Sequence, residues 1–102
     1  MLPRKNRFLF RGVFPKRVTH TPYMTIRFEK GEEMLKGAIV VSRKASKKAT
    51  DRNRMKRILS DSLARYKDAP YSVVLFIRKN AFLCEEKELQ SALRATLDSL
   101  LQ

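Results

Sequence analysis

Basic side chains are concentrated in one stretch of the chain, residues 43–57, where fifteen positions hold eight Lys or Arg and one acid. No other window is so basic. Such a density of cations is suited to phosphate groups, because the guanidinium fork donates two parallel hydrogen bonds and the ammonium group supplies a point charge. The stretch therefore predicts the binding of a polyanion. The alternative is a solvated face that only keeps the protein soluble.

The basic stretch leads into an amphipathic helix. Apolar residues recur there at spacings of three and four, which places them on one stripe; they are Met55, Ile58, Leu59, Leu63 and Tyr66. On a helical wheel Asn53, Lys56 and Arg57 fall opposite this stripe. Arg52 and Arg54 lie on its two flanks. The first turns of a helix packed on the core thus present a cationic face, and the positive end of the helix dipole adds to its field.

Residues for acid, base or metal chemistry are scarce. One His and one Cys cannot build a zinc site alone, and neither HExxH, paired CxxC nor a glycine-rich phosphate loop occurs. The close carboxylates Glu85, Glu86 and Glu88 are the remaining candidates for a metal or acid-base cluster. Acids are expected in the first turn of a helix, where they complement its dipole, so we favour that role. A stand-alone nuclease that uses these carboxylates is the enzyme hypothesis left open.

The N-terminal twenty residues carry six cations, no acid and several aromatic rings. A short helix over residues 8–14 would place Phe10 and Phe14 on one face, and Pro15 discourages its continuation. Two interpretations of the rings remain open. They either pack on the sheet as core or, set among cations, form a platform on which a single nucleic-acid strand stacks.

The remaining elements predict an α+β fold. Alternation over residues 23–28 indicates a half-buried strand with Tyr23, Thr25 and Arg27 on one side. A turn follows, then a second strand over residues 35–42, which together favour an antiparallel hairpin. Residues 71–77 form a continuous apolar run typical of a buried central strand, and residues 85–101 form a last amphipathic helix. The order α-β-β-α-β-α predicts a two-layer sandwich with a small mixed sheet and a βαβ unit around residues 35–77, for which base rates favour a right-handed crossover.

Length and charge bound the function. A chain of 102 residues forms one domain, and a hydrophobic content of 43% is enough for it to fold. The net charge of +13 implies an anionic partner, with RNA or DNA ahead of a membrane surface. We find no apolar run of membrane-spanning length and no signal peptide. The single cysteine is consistent with a reducing compartment, which favours the cytoplasm.

The basic stretch also carries a family signature. The string Arg52-Asn53-Arg54-x-Lys56-Arg57, which follows Ala49 and a strand ending in residues 40–44, resembles the signature of the protein subunit of bacterial ribonuclease P. The order of elements and the length are similar to that family over nearly the whole chain. The resemblance is therefore global as well as local.

The resemblance implies a function. The protein would bind the catalytic RNA of a ribonucleoprotein that removes the 5′ leader from precursor tRNA, with the catalytic centre in the RNA and magnesium held mainly by that RNA. It also implies a left-handed βαβ crossover, which we adopt because the residues do not decide the hand. The expected RNA-binding residues are Arg43, Lys44, Lys47, Lys48, Arg52, Asn53, Arg54, Lys56 and Arg57. Together with the charge pattern, the resemblance implies a leader cleft formed by Phe10, Arg11, Phe14, Lys16, Arg17 and Tyr23.

A second hypothesis belongs to another class. A basic RNA-binding module without a role in catalysis, such as a ribosomal protein, would have the same composition and an α+β layout. Composition cannot separate the two hypotheses, and the RNR signature favours the first. The oligomeric state does not follow from the sequence.

Overall fold

A four-stranded sheet and two helices form two layers in a computed structural model, which describes Asn6 and residues 15–31 and 34–101. The strands are β1 (Arg17–His20), β2 (Met24–Lys30), β3 (Lys36–Val40) and β4 (Tyr71–Ile77). The helices are α1 (Ala49–Ala64) and α2 (Glu86–Leu100), and a 3-10 helix (Lys79–Leu83) precedes α2. The predicted α+β sandwich is confirmed, with four strands rather than three. The helix predicted over residues 8–14 lies outside the described residues.

The sheet is mixed and has the order β1-β2-β4-β3. β4 pairs antiparallel with β2 and parallel with β3, so β3, α1 and β4 form the predicted βαβ unit. Val73, Val74 and Leu75 of β4 have no exposed surface, which confirms the prediction of a buried central strand. Neither described helix is long and apolar enough to cross a membrane.

The predicted hairpin of β2 and β3 is wrong, because β4 lies between these two strands. The connection between them is bonded to the chain that enters β4: the Gly31 amide donates to the Pro70 carbonyl (2.6 Å) and the Leu35 amide to the Lys67 carbonyl (3.0 Å). The most apolar strand gains most from neighbours on both edges. Burial of β4 therefore outweighs the short separation of β2 and β3 along the chain.

Strand β1 was not predicted. It has only four residues and pairs antiparallel with β2, with Val18 opposite Arg27 and His20 opposite Thr25. Three of its four residues are exposed, so its sequence lacks the alternation of apolar and polar residues that marks a half-buried strand. Its strand conformation depends on the partner strand rather than on its own pattern.

One face of the sheet carries the core. Alternate residues of β2 and β4 point to this face and are covered by both helices; the buried cluster includes Met24, Ile26, Phe28, Val73, Leu75, Ile77, Met55, Leu59, Leu63, Leu89, Leu93 and Leu97. The predicted apolar stripes of both helices are thereby confirmed, with Ile58 and Tyr66 at the margin as half-buried residues. Strand alternation directs Val74 and Phe76 to the second face.

Helices α1 and α2 run side by side in the same direction. The amide of Gln90 donates to the carbonyl of Ile58 (3.3 Å), and the hydroxyl of Tyr66 donates to the carboxylate of Asp98 (2.5 Å). Each of these contacts joins residues 32 apart in the chain. A constant separation means that residue numbers rise together along the two helices. Their N-terminal ends therefore lie at the same end of the helix layer.

Asn6 fastens the N-terminal segment to the domain. Its side chain is 1% exposed, and its Nδ2 donates to the carbonyls of Leu35 (2.8 Å) and Lys67 (2.9 Å). These carbonyls belong to the segments that enter β3 and follow α1. One amide group thus ties three parts of the chain together at the end of the sheet where β3 and β4 begin.

We expect Leu59→Ala to destabilise the fold in the absence of any partner. Leu59 has no exposed surface, and truncation of a buried leucine costs about 2 to 5 kcal/mol of unfolding free energy. Urea denaturation measures the loss. Leu83→Ala is the control, because Leu83 is 82% exposed and its truncation is expected to change the stability by less than about 0.5 kcal/mol. Equal stability of the two variants would contradict the assignment of Leu59 to the core.

The bond between Tyr66 and Asp98 predicts a pH dependence. Burial, and then the hydrogen bond to Asp98, raise the pKa of Tyr66 to about 12. In the unfolded chain tyrosine ionises near pH 10. Below about pH 10 the wild type therefore keeps its full advantage in unfolding free energy over Tyr66→Phe. It loses this advantage as the pH rises towards about 12. Denaturation of both proteins at several pH values measures the difference, and a difference that does not change over this range would refute the prediction.

Candidate nucleic-acid interface

The cationic residues of the signature lie on the first two turns of α1. Met55 is buried and fixes the face of the helix that meets the core. Asn53, Arg54, Lys56 and Arg57 are all exposed. The helix therefore directs Asn53, Lys56 and Arg57 away from the core and leaves Arg54 on the flank, as its wheel predicts.

Arg52 makes a contact within the chain that the sequence did not indicate. It is half-buried, and its Nη1 donates to the carbonyls of Ser46 (2.9 Å) and Lys47 (3.0 Å). The guanidinium group thus holds the loop that precedes α1, and its Nε and Nη2 donors stand outside these two bonds. Spacing alone cannot show this role, because an arginine on the flank of a helix has the same sequence pattern whether it contacts the loop or solvent.

The loop before α1 is an ordered turn that carries four more cations. The amides of Ala45 and Ser46 donate to the carbonyl of Ser42 (3.1 and 3.3 Å), and Ala45 is buried. The cations around this anchor are exposed; they are Arg43, Lys44, Lys47 and Lys48. These four loop residues directly precede the helix residues Asn53, Arg54, Lys56 and Arg57. We call the eight residues together the RNR surface, after the string Arg52-Asn53-Arg54.

The acids of α2 limit the RNR surface on one side. Arg54 forms an ion pair with Glu86 (3.7 Å) in which both side chains are largely exposed, so it contributes little to stability. Glu85 is the N-cap residue of α2, and Glu86 and Glu88 are in its first turn, as expected for acids near a helix start. Among the described residues, no group of three His, Cys, Asp or Glu side chains is arranged to hold a metal ion.

Cys84 lies between the 3-10 helix and the N-cap residue of α2. Its Sγ donates to the carbonyl of Ala81 (3.4 Å). Burial, and to a lesser degree the charge of Glu88, raise the pKa of the thiol. The thiolate is the reactive form, so this position disfavours a nucleophilic role.

The predicted leader residues are only partly described. Phe10, Arg11 and Phe14 lie outside the described residues. Lys16 and Arg17 are exposed at the start of β1, which is three strands from β3, or about 14 Å. This group and the RNR surface therefore belong to opposite edges of the sheet.

Tyr23 is not in a strand beside Thr25 and Arg27, as the alternation suggested. It belongs to the turn before β2 and packs against the core cluster. Together with Leu93 and Thr96 of α2 it lines a cavity of about 250 Å³. The turn interrupts the strand period, because the hydroxyl of Thr21 accepts hydrogen bonds from the amides of Tyr23 (3.3 Å) and Met24 (3.1 Å).

We expect Arg52→Ala to loosen the loop before α1. Loss of two charge-assisted bonds lowers the unfolding free energy by about 1 kcal/mol or more, and trypsin should cleave the native protein faster after Lys47 and Lys48. Arg57→Ala is the matched control, because Arg57 is exposed on the same helix. If both variants are cleaved in this loop at the wild-type rate, Arg52 does not hold it.

Comparisons with known proteins concern the chain as a whole. The family model described as Ribonuclease P matches residues 3–101. The chain is 30% identical to the RNase P protein from Thermotoga maritima in one solved structure, with 83% of this chain and 82% of that chain covered and a TM-score of 0.62. A second structure of the Thermotoga maritima protein gives 28% identity, 83% and 80% coverage and a TM-score of 0.61.

A more distant likeness concerns the fold alone. The Staphylococcus aureus RNase P protein is 17% identical, with 82% of this chain and 80% of that chain covered and a TM-score of 0.73. No curated protein matches the chain in sequence. The family model spans nearly the whole chain, including the helix α1 on which Asn53, Lys56 and Arg57 are exposed. The chain belongs to the ribonuclease P protein family.

Proposed function

We propose that this chain, as the protein subunit of ribonuclease P, binds the catalytic RNA through the RNR surface. One observation carries the proposal. The first turns of α1 present Asn53, Arg54, Lys56 and Arg57 to solvent while Met55 fixes the opposite side on the core. The core contact orients the helix, and the exposed side chains meet the phosphates without reorganisation of the fold.

The role of the protein in the reaction is electrostatic. Magnesium, held mainly by the RNA, would supply the chemistry that cleaves the phosphodiester bond. The described acids of α2 do not form a ligand set for a metal ion, and the RNR surface is cationic, so we assign no metal to either of these two groups of residues. Its residues neutralise phosphates and thereby allow RNA segments to approach one another. We place this work in the cytoplasm, where precursor tRNA is processed.

We assign the 5′ leader of precursor tRNA to the second face of the sheet. The N-terminal segment is fastened on both sides of residues 7–14. Asn6 is bound to Leu35 and Lys67, and the carbonyl of Pro15 accepts a hydrogen bond from Nε of Arg27 (2.9 Å) on the second face. The aromatic pair Phe10 and Phe14 lies between these two anchors in the sequence.

Cations support this assignment. Lys16 and Arg17 are exposed directly after Pro15, and Arg11 is four residues earlier in the sequence. They would hold the leader backbone while the rings stack on its bases. Tyr23 packs on the core side and lines a separate cavity with α2. We therefore assign it a structural role, in which it packs between the core and the end of the sheet.

Reconstitution with the catalytic RNA tests the function directly. We expect the protein to lower the magnesium concentration that the RNA needs to remove a leader. Protein without RNA should leave precursor tRNA intact; cleavage by the protein alone would instead support a nuclease centred on Glu85, Glu86 or Glu88.

We expect Arg57→Ala to weaken assembly with the catalytic RNA and to lower the slope of log affinity against log salt concentration by about one unit. Arg57 is exposed and, unlike Arg52, has no bond to the loop in the described residues. Lys30→Ala removes one exposed cation at the end of β2 and serves as the control. An Arg57→Ala protein that assembles with the same affinity and salt slope as Lys30→Ala would contradict the assignment of the RNR surface.

Phe14→Leu tests the leader cleft, because leucine keeps apolar volume but lacks an aromatic face. Stacking of one base on a ring is worth about 1 to 3 kcal/mol. We therefore expect the assembled enzyme to bind leader-bearing precursor about tenfold more weakly, with unchanged binding of mature tRNA and an unchanged melting temperature. If the variant has a lower melting temperature and binds precursor and mature tRNA with equally reduced affinity, the ring is part of the core. Unchanged binding of the precursor also contradicts the assignment of Phe14 to the leader cleft.

A further inference from the structure

A cationic groove lies between the two helices, beyond the RNR surface. Its volume is about 360 Å³, and it lies between the second half of α1 and the first half of α2. The charged residues at its walls are Asp61, Arg65, Lys87 and Arg94. Three cations and one acid leave the groove positive.

The groove exists because small side chains occupy the helix contact. Ser62 is 9% exposed and stands in the buried row of α1, next to Leu59 and Leu63. Ser91 of α2 lines the opposite wall. Larger side chains at these two positions would fill the groove. The hydrogen bond from Gln90 to the carbonyl of Ile58 holds the two helices at one end of the opening.

The preference of helix ends for particular charges explains only part of the placement of the cations in the groove. Arg65 follows the C-terminal end of α1, where a cation is favoured by the helix dipole. Lys87 has the opposite placement, because it lies in the first turn of α2, where the dipole disfavours a cation. Within the described part of the chain, no salt bridge connects Lys87 or Arg94 to an acid. These two side chains are exposed at the groove.

The groove continues the RNR surface along α1. Arg54, Ile58, Asp61 and Arg65 recur at spacings of three and four, so they lie along one side of the helix. Arg65 follows Arg57 by eight residues, which is about 12 Å along the helix axis. A single RNA strand that contacts Arg57 can therefore reach the groove without leaving the helix layer.

We propose that this groove is a second RNA-binding site, in which Arg65, Lys87 and Arg94 contact phosphates of the RNA backbone. The inference rests on the proposed function and adds a contact surface to it. Polar walls and a size typical of ligand sites suit a phosphate and its sugar. The hydroxyls of Ser62 and Ser91 can donate to phosphate oxygens. The groove holds the backbone and does not read base sequence.

The test compares two triple variants with the same loss of charge. Arg65→Gln, Lys87→Gln and Arg94→Gln together remove the cations of the groove. Lys30→Gln, Lys67→Gln and Lys79→Gln together remove three exposed cations outside the groove and outside the RNR surface. Both proteins are assembled with the catalytic RNA over a range of salt concentrations, and the assembled enzymes are then assayed with precursor tRNA.

We expect the groove variant to lose at least about tenfold in affinity for the catalytic RNA and about two units of salt slope relative to the control variant. If instead assembly is equal and only the KM for precursor tRNA rises, the groove binds the backbone of the substrate. Equal behaviour of the two variants in both assays overturns the proposal. If the triple variant proves unstable, Lys87→Gln against Lys79→Gln gives the same comparison for one contact.

Failure of the proposed function has a different signature. In that case the wild-type protein itself does not assemble with the catalytic RNA or lower its magnesium requirement. If only the proposal for the groove is wrong, the wild type is active, and the two triple variants have the same affinity for the catalytic RNA and the same activity on precursor tRNA.

Discussion

The double burial of β4 is the constraint on which the rest of the structure depends. This strand is paired on both edges and covered on both faces, so every other element takes its place relative to it. β2 and β3 lie on its two sides, and α1 has to run from the end of β3 back to the start of β4 across the sheet. The helix that carries the RNR signature is thereby fixed on the core by the same connection that completes the sheet. The position of the cationic surface is thus a consequence of how the apolar strand is buried.

The sequence predicts some features of this fold well, for physical reasons. Both helices have strong apolar periodicity, and the buried residues Leu59, Leu63, Leu93 and Leu97 are the ones that this periodicity selects. Pairing of strands is a different matter. Alternation shows which face of a strand is buried but not which strand lies beside it, so the hairpin of β2 and β3 was expected where β4 intervenes. β1 was missed because four mostly exposed residues carry no pattern of burial.

The candidate site also has features that the sequence predicts and features that it does not. The cationic face of α1 follows from the sequence, since the apolar stripe determines which residues point outward. The loop contact of Arg52 and the groove at Ser62 and Ser91 do not. Both depend on distances between elements, and a helical wheel contains no information about a neighbouring loop or helix. Tyr23 shows the related case of a turn that breaks the strand period and moves a side chain to another environment.

The parallel course of α1 and α2 has a consequence for the electric field of the protein. Parallel helices place their positive ends side by side. At α2 that end is offset by Glu85, Glu86 and Glu88, whereas at α1 a single acid, Asp51, is followed by the cations of the signature. Of the two helix N-termini, the one at α1 is therefore the more positive. This end of the helix layer therefore attracts anions before any contact forms, and the attraction is strongest at low ionic strength.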